Sequence, residues 1–254
     1  DNPYMAHGYQ EALEGLRASR RRQLLDGDWN VFEGQMFEEW REDHHVQRLA
    51  ATTDLEWFCG LDWGYNAPFV CGWYACLPDG KLYRAREWKD RGIHAEDFAK
   101  RWWEITRREL GLSRVRYVVA DPAIKQKTGA GRGESVMETL QRYGLPMTAG
   151  DNDRVNGWHR LHERLRPAPD GTPWLIVDPS CQYLRRTLPA APSAPKNPED
   201  VDPTFAEDHA LDELRYAMMS RPSPTRYTAP SSTFHPLQAG ALLQEAMAAS
   251  TDRH

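Results

Sequence analysis

The stretch Leu55-Glu56-Trp57-Phe58-Cys59-Gly60-Leu61-Asp62-Trp63-Gly64-Tyr65 decides the fold. An apolar run that closes on a carboxylate predicts a buried strand whose last side chain reaches the hydrated rim of a sheet, and Gly64 lets the backbone turn tightly just beyond it. The same device recurs where Val115 to Ala120 closes on Asp121, ahead of the break at Pro122. A third acid, Asp212, lies inside the helical stretch Ala206 to Ser220. On a 3.6-residue period Asp208, His209 and Asp212 address one side of that helix, while Leu211, Leu214 and Met218 anchor the neighbouring face. Carboxylates four apart repel by roughly 0.2–0.5 kcal/mol, a penalty that a divalent cation reverses. Two strand tips and one helix converging in this way predict a hard-cation site. Mg²⁺ and Mn²⁺ prefer oxygen ligands, and a pair held about 3.5–4 Å apart activates water and stabilises a leaving oxygen in phosphodiester cleavage. The expected chemistry is that of a nuclease.

Each motif has an ordinary reading when taken alone. Asp208 would cap the helix start, an Asp-Gly turn also opens actin-like ATPases and sugar kinases, and Asp-Pro ends many strands for turn reasons. The order of the three motifs along the chain gives them their joint meaning.

Working outward, Leu55 to Trp63, Phe69 to Leu77 and Leu82 to Trp88 read as an antiparallel meander, the last two strands joined by the turn Pro78-Asp79-Gly80. Ala95 to Leu110 carries Phe98, Trp102 and Ile105 at helical spacing and leads into the strand Val115 to Ala120. Helix and strand then alternate: a helix from Glu134 to Tyr143, a strand from Pro146 to Ala149, a helix from Val155 to Leu165 and a strand from Trp174 to Val177. Pro189 to Pro203, dense in Pro, Ala, Ser and Asn, reads as a mobile loop before the acidic helix, placed to gate the site. Tyr9 to Leu25 reads as a basic amphipathic helix, and Leu237 to Ala249 as a short helix beyond a Pro/Ser/Thr-rich linker.

At 254 residues the chain suits one sizeable α/β core with appendages. Charged residues make up 27% and apolar ones 40%, and no apolar run approaches the roughly 18 residues of a membrane span. The first residues lack the basic flank and apolar stretch of a signal peptide, so secretion is not expected. Cys59, Cys71, Cys76 and Cys181 show no CxxC spacing and fall in apolar segments, which reads as buried thiols in a reducing compartment rather than zinc. The net charge of −5 argues against a uniformly basic nucleic-acid surface and leaves the partner open.

Three motifs carry a resemblance: Leu61-Asp62-Trp63-Gly64-Tyr65, Val118-Val119-Ala120-Asp121-Pro122-Ala123 and, most specific, Asp208-His209-Ala210-Leu211-Asp212-Glu213-Leu214-Arg215-Tyr216-Ala217. Together they resemble the nuclease domain of the large terminase subunit of tailed double-stranded DNA viruses, of the RNase H-like superfamily. The segment Asn2-Pro3-Tyr4 through Asp28-Trp29 is similar to the stretch joining that family's ATPase motor to its nuclease. No GxxxxGK[ST] occurs, and the Gly-rich Gly129 to Ser135 lacks the Lys that reaches phosphates, so ATP hydrolysis is not expected of this chain.

The resemblance implies an RNase H-like α/β fold, a mixed sheet with an antiparallel meander plus parallel strands, flanked by helices. It implies a lead-in segment over 1–50, a nuclease domain over 51–221 and a flexible tail with a short helix over 222–254. It further implies that Asp62, Asp121 and Asp212 hold two divalent cations, Mg²⁺ or Mn²⁺. Asp208 and His209 would assist as ligands or proton-transfer groups. The expected activity is endonucleolytic cutting of concatemeric viral DNA during packaging, with little sequence preference, in the cytoplasm of the infected host cell. Expected partners are double-stranded DNA and, in a full-length context, the portal and small terminase subunit; no membrane is expected. Junction resolvases and integrases use the same carboxylates, but the lead-in segment and the motif at 208–217 count against them. An actin-like ATP-binding domain or a non-catalytic packaging component is the reading of a different class.

Lys125, Lys127 and Arg132 follow Asp121 in a glycine-containing run that suits contact with DNA phosphates, and Arg154, with Arg160, Arg164 and Arg166, would extend that track. Trp57, Trp73, Trp102 and Trp103 fall on strand or helix positions that core packing explains. His44 and His45, beside Glu38, Glu39, Glu42 and Asp43, match no metal-ligand scheme and read as a surface cluster.

Overall fold

The computed structural model describes residues 34–50, 53–127 and 133–224. The expected helices at Tyr9 to Leu25 and Leu237 to Ala249, and Arg132, lie outside the described residues.

Six strands form the main sheet in the order β5-β4-β1-β2-β3-β6. They are β1 (Glu56–Asp62), β2 (Phe69–Cys76), β3 (Leu82–Asp90), β4 (Val118–Ala120), β5 (Met147–Ala149) and β6 (Leu175–Val177). β1, β2 and β3 are antiparallel neighbours, from Asp62 opposite Val70 to Cys76 opposite Leu82, so the expected meander is present. β4 and β5 add in parallel beside β1, and β6 adds in parallel beside β3. The connecting helices are α1 (Glu42–His45), α2 (Ala95–Glu104), α3 (Val136–Arg142), α4 (Arg154–Leu165), α5 (Gln182–Ala190) and α6 (His209–Met219). α2 widens into a π-helical turn over Ile105–Glu109, and α3 starts on a capping box between Ser135 and Glu138.

Strand alternation divides the core in two. Trp57, Cys59 and Leu61 of β1 face a cluster with Phe98, Trp102 and Leu140 from α2 and α3. Phe58 faces the opposite cluster, with Trp158 and Leu161 of α4, Leu184 of α5 and Leu211 and Leu214 of α6. By the same alternation Gly60 and Asp62 share the α6 side with Phe58. Met36, Phe37 and Trp40 are buried in this second cluster, so the segment ahead of β1 packs as part of the core.

Three expectations need correction. Pro189 to Pro203 is no irregular loop: α5 runs to Ala190, and β7 (Ser193–Ala194) and β8 (Asn197–Val201) form an antiparallel hairpin. The helix was hidden by Pro189 in its last turn. His45 is fully buried rather than superficial, its ring nitrogens meeting backbone groups of Arg41 and the Leu165 carbonyl, and burial pulls its imidazole below the ordinary value. Arg164 cannot extend a surface track, because it is buried with its guanidinium donating to the carbonyls of Gly80 and Pro222, each at 2.7 Å.

Candidate active site

β1 and β4 are parallel neighbours, with Leu61 paired to Ala120, so Asp62 and the residue after Ala120 come to the same sheet edge. That residue is Asp121. Its Oδ1 accepts the Ala123 N–H at 2.6 Å, starting the 3₁₀ turn Pro122–Lys125, and its Oδ2 accepts from the Tyr216 hydroxyl. Tyr216 sits on α6 one turn beyond Asp212, so α6 meets both strand tips.

At its first residue α6 meets β1: His209 Nδ1 is 2.9 Å from Asp62 Oδ2. Asp62 is 16% exposed and Asp212 is 17% exposed, so both carboxylates are largely withdrawn from water. Burial, joined by the negative charges of Asp212 and Asp208, holds the Asp62 carboxyl above the usual carboxylate range, against the pull of His209. Asp208 is raised likewise by burial and by Asp212. The hydrogen bond to Asp62 holds the His209 imidazole above its ordinary value, with the charges of Asp62, Asp208 and Asp212 acting in the same direction. Asp208 stands at the N-cap position of α6, yet its side chain makes no capping hydrogen bond. The capping reading is therefore overturned, and this carboxylate belongs electrostatically to the acidic group.

Asp212 is held by two guanidinium groups. Arg215 Nε donates to its Oδ1 at 3.0 Å and Arg154 Nη1 to the same oxygen at 3.4 Å. Arg154 also donates to Asp200 on β8 at 3.2 Å, and Trp158 Nε1 donates to that carboxylate at 2.7 Å. Arg154 is thus an element of the acidic site itself. Asn152 Oδ1 accepts from Tyr216 at 3.0 Å and from Arg215 at 3.3 Å, tying the β5–α4 loop to the same network. Burial and the bond to Asp121 raise the Tyr216 hydroxyl well above the ordinary phenol value, so it remains a donor.

Four expected residues (Asp62, Asp208, His209 and Asp212) therefore gather around the N-terminal half of α6, and Asp121 joins the same helix further along, through Tyr216. No group of three or more His, Cys, Asp or Glu among the described residues stands as a ready-made cation cage. Tyr216 and Arg215 hold Asp121 and Asp212 instead, and Asp62 Oδ1 and Asp212 Oδ2 carry no hydrogen bond from the described residues. The donor set, hard carboxylate oxygens with one imidazole and mutual repulsion among the acids, suits Mg²⁺ or Mn²⁺. Lys125 and Lys127 are exposed beyond the 3₁₀ turn, Lys127 lying 3.8 Å from Glu138.

Under the site runs a buried charge network with no expected counterpart. Glu213, next to Asp212, is fully buried and accepts from Tyr74 at 2.9 Å and from Arg84 on β3. Arg84 is also fully buried and donates to Glu87 at 3.0 Å, while Glu87 accepts the N–H groups of Tyr183 and Leu184 at the start of α5. The carboxyl of Glu213 occupies a cradle formed by the facing residues Gly60 and Gly72, where an added Cβ would lie 2.1 Å and 2.7 Å from its Oε1. Burial pushes Glu213 up to about 7, against Arg84, whose own pKa is raised by the pairing. A glycine inside each of two adjacent strands is the sequence signal of such close approach.

No family model and no curated protein sequence matches the chain. Among solved structures it is similar to the large terminase of a thermophilic bacteriophage, with a TM-score of 0.60 and 17% identity over 73% of this chain and 45% of that one. The ADP complex of the same phage protein matches with a TM-score of 0.61 and 16% identity, over 86% of this chain and 52% of that one. The chain thus spans about half the length of that large terminase. The P22 large terminase nuclease domain matches with a TM-score of 0.56 and 16% identity, over 74% of this chain and 92% of that domain. The fold is therefore the RNase H-like fold of terminase nuclease domains.

Proposed function

We propose that this chain is a divalent-cation-dependent endonuclease acting on double-stranded DNA in viral genome packaging. The observation that carries the reading is the gathering of Asp62, Asp208, His209 and Asp212 around the start of α6, with Asp121 beside the strand tip of Asp62 and tied to the same helix by Tyr216, at one edge of an RNase H-like sheet. Asp62, Asp121 and Asp212 would hold two cations, Mg²⁺ or Mn²⁺, with Asp208 in support. Bound there, the cations supply an acidified water and neutralise charge on the departing oxygen of a phosphodiester.

The chain's own groups have separable tasks. Asp62, whose carboxyl is raised by burial and by its acidic neighbours, has an ionised form that an entering positive charge would favour. His209 stays on Asp62 through Nδ1, which orients the carboxylate and presents Nε2 outward for proton transfer. Arg215 and Tyr216 fix Asp212 and Asp121 from the same helix, so the ligands move as one body. Lys125, Lys127 and Arg132 are proposed to meet DNA phosphates, which carry no sequence information and so agree with non-specific cutting. Portal and small-subunit partners, and action in the infected host cell, belong to the same proposal.

Nicking of supercoiled plasmid with Mn²⁺ or Mg²⁺ tests it. The wild-type chain should cut, and both EDTA and Asp62→Asn should stop cutting. Cleavage that survives either would refute the mechanism, and saturable ATP binding instead of cleavage would favour the actin-like reading.

A further inference from the structure

Tyr65 is the large apolar side chain that stands most exposed among the described residues, at 44%, and it lies three residues beyond Asp62 on the loop from β1 to β2. Exposed single aromatics are ordinary on protein surfaces when they are loose. This one is braced. Its ring lies 5.0 Å from the His94 ring, centroid to centroid, and its hydroxyl is 3.4 Å from His94 Nε2. Its carbonyl accepts the Gly92 N–H at 2.8 Å, tying the loop to the end of β3.

The loop is equally constrained on either side. Trp63 packs inward against Phe69 and Phe98, with ring centroids 5.9 Å and 5.3 Å away. Gly64 folds so closely onto the following residues that an added Cβ would lie 2.5 Å from the Ala67 carbonyl oxygen and 2.7 Å from that of Pro68. A loop held this firmly, with one aromatic turned to water at the catalytic edge, has lost its conformational entropy before any partner arrives.

Charge narrows the identity of the partner's surface. Asp62 to Phe69 contains no Lys or Arg; the cations beside the loop, Lys89 opposite Val70 and Arg91 next to Gly92, belong to β3 and its end, so the ring itself makes no phosphate pair. A neutral ring gains instead by covering an apolar surface. On duplex DNA such a surface is offered by the deoxyribose and base edges of the minor groove, where proteins insert apolar side chains. We propose that Tyr65, supported by His94, is a DNA-contacting residue that packs into the minor groove beside the phosphate presented to Asp62. The contact is non-electrostatic, in contrast to the proposed phosphate contacts of Lys125 and Lys127 across the site. This rests on the nuclease reading of the Asp62 site.

The test is binding of the full chain to an end-labelled DNA duplex, followed by fluorescence anisotropy over a range of KCl, with Ca²⁺ replacing Mg²⁺ or Mn²⁺. Tyr65→Ala should weaken binding on the order of tenfold, and Tyr65→Phe should stay within about twofold of wild type. The slope of log affinity against log salt should not change in either variant. The thermal midpoint of Tyr65→Ala should match wild type, because the side chain is exposed. Binding by Tyr65→Ala as tight as wild type overturns the proposal, as does a loss accompanied by a shallower salt slope. Plasmid nicking by the same preparations separates the two readings. Tyr65-dependent binding without any cleavage keeps the contact and removes the nuclease, whereas absence of duplex binding by wild type removes the contact.

Discussion

Asp212 and Glu213 are consecutive residues of α6, and they meet opposite surroundings. Asp212 faces the sheet edge, in a largely dehydrated group of acids in which Asp62 and Asp208 are held above the usual range. Glu213 faces the sheet and is wholly buried, its charge matched by Arg84 and relayed through Glu87 to the start of α5. The two regions divide labour along one helix turn. The buried network fixes where α6 lies on the sheet, and the acid group uses that placement with its repulsion only partly offset by Arg154, Arg215 and His209. Residual negative charge is what a cation site requires, and fully paired charge is what a rigid support requires.

The largest expected effect lies on the acidic side. Asp62→Asn should lower plasmid cleavage by more than about a hundredfold, because partners that merely orient metal ligands already contribute ten- to hundredfold. Activity within a few-fold of wild type would break the comparison. On the compensated side, Arg84→Met alone leaves Glu213 buried without its partner and should cost about 3–5 kcal/mol in urea unfolding. The double change Arg84→Met with Glu213→Gln should recover part of that loss, since Glu213 is then no stranded charge while Glu87 keeps only its N–H donors at the start of α5. If the single change is neutral, the network is no support for α6.

Between these stands Tyr216→Phe, which removes the donor to Asp121 and Asn152. Cleavage or Mn²⁺ affinity should fall about ten- to hundredfold, with a stability change of about 1 kcal/mol. Equal losses in both readouts would mean that the hydroxyl is structural only.

The acid group also sets a pH dependence in the cation-free protein. Asp62 and Asp208 are raised above 3.8 and His209 above 6.5, so at these three groups the folded chain holds more protons than the unfolded one from the ordinary Asp range upward. Stability from these groups is therefore present at lower pH and lost as pH rises through each folded value. Asp62→Asn should flatten that fall, because it removes both the raised carboxyl and the main cause of the His209 shift, and an unchanged pH profile in thermal unfolding would contradict the assignment. The smallest expected effect is at the rim: Lys125→Ala with Lys127→Ala should flatten the salt dependence of DNA binding by up to about 1.8 units of slope.

Much of this was legible from residue order. The apolar run Leu55 to Leu61 closing on Asp62 placed β1 and its terminal carboxylate, and the i, i+4 relation of Asp208 to Asp212 brought those acids together, because both follow from local sequence. Partners drawn from distant segments were not legible. Nothing local pairs Arg84 with Glu213, and only Gly60 and Gly72 hinted that a helix comes unusually close. Arg154 read as a surface cation because its neighbours in sequence are polar, while its real neighbours, Asp200 and Asp212, arrive from β8 and α6. The hairpin over 193–201 was concealed by proline-rich composition, which describes propensity and not the tertiary pairing that overrides it.

The central claim is that α6 and two strand tips share one set of cations. Anomalous diffraction from a crystal soaked in Mn²⁺ addresses it directly. The account expects metal peaks within coordination distance of Asp62, Asp121 and Asp212 together, with Asp208 or His209 alongside. Peaks bound to any of these residues singly, or found only elsewhere on the surface, would contradict it.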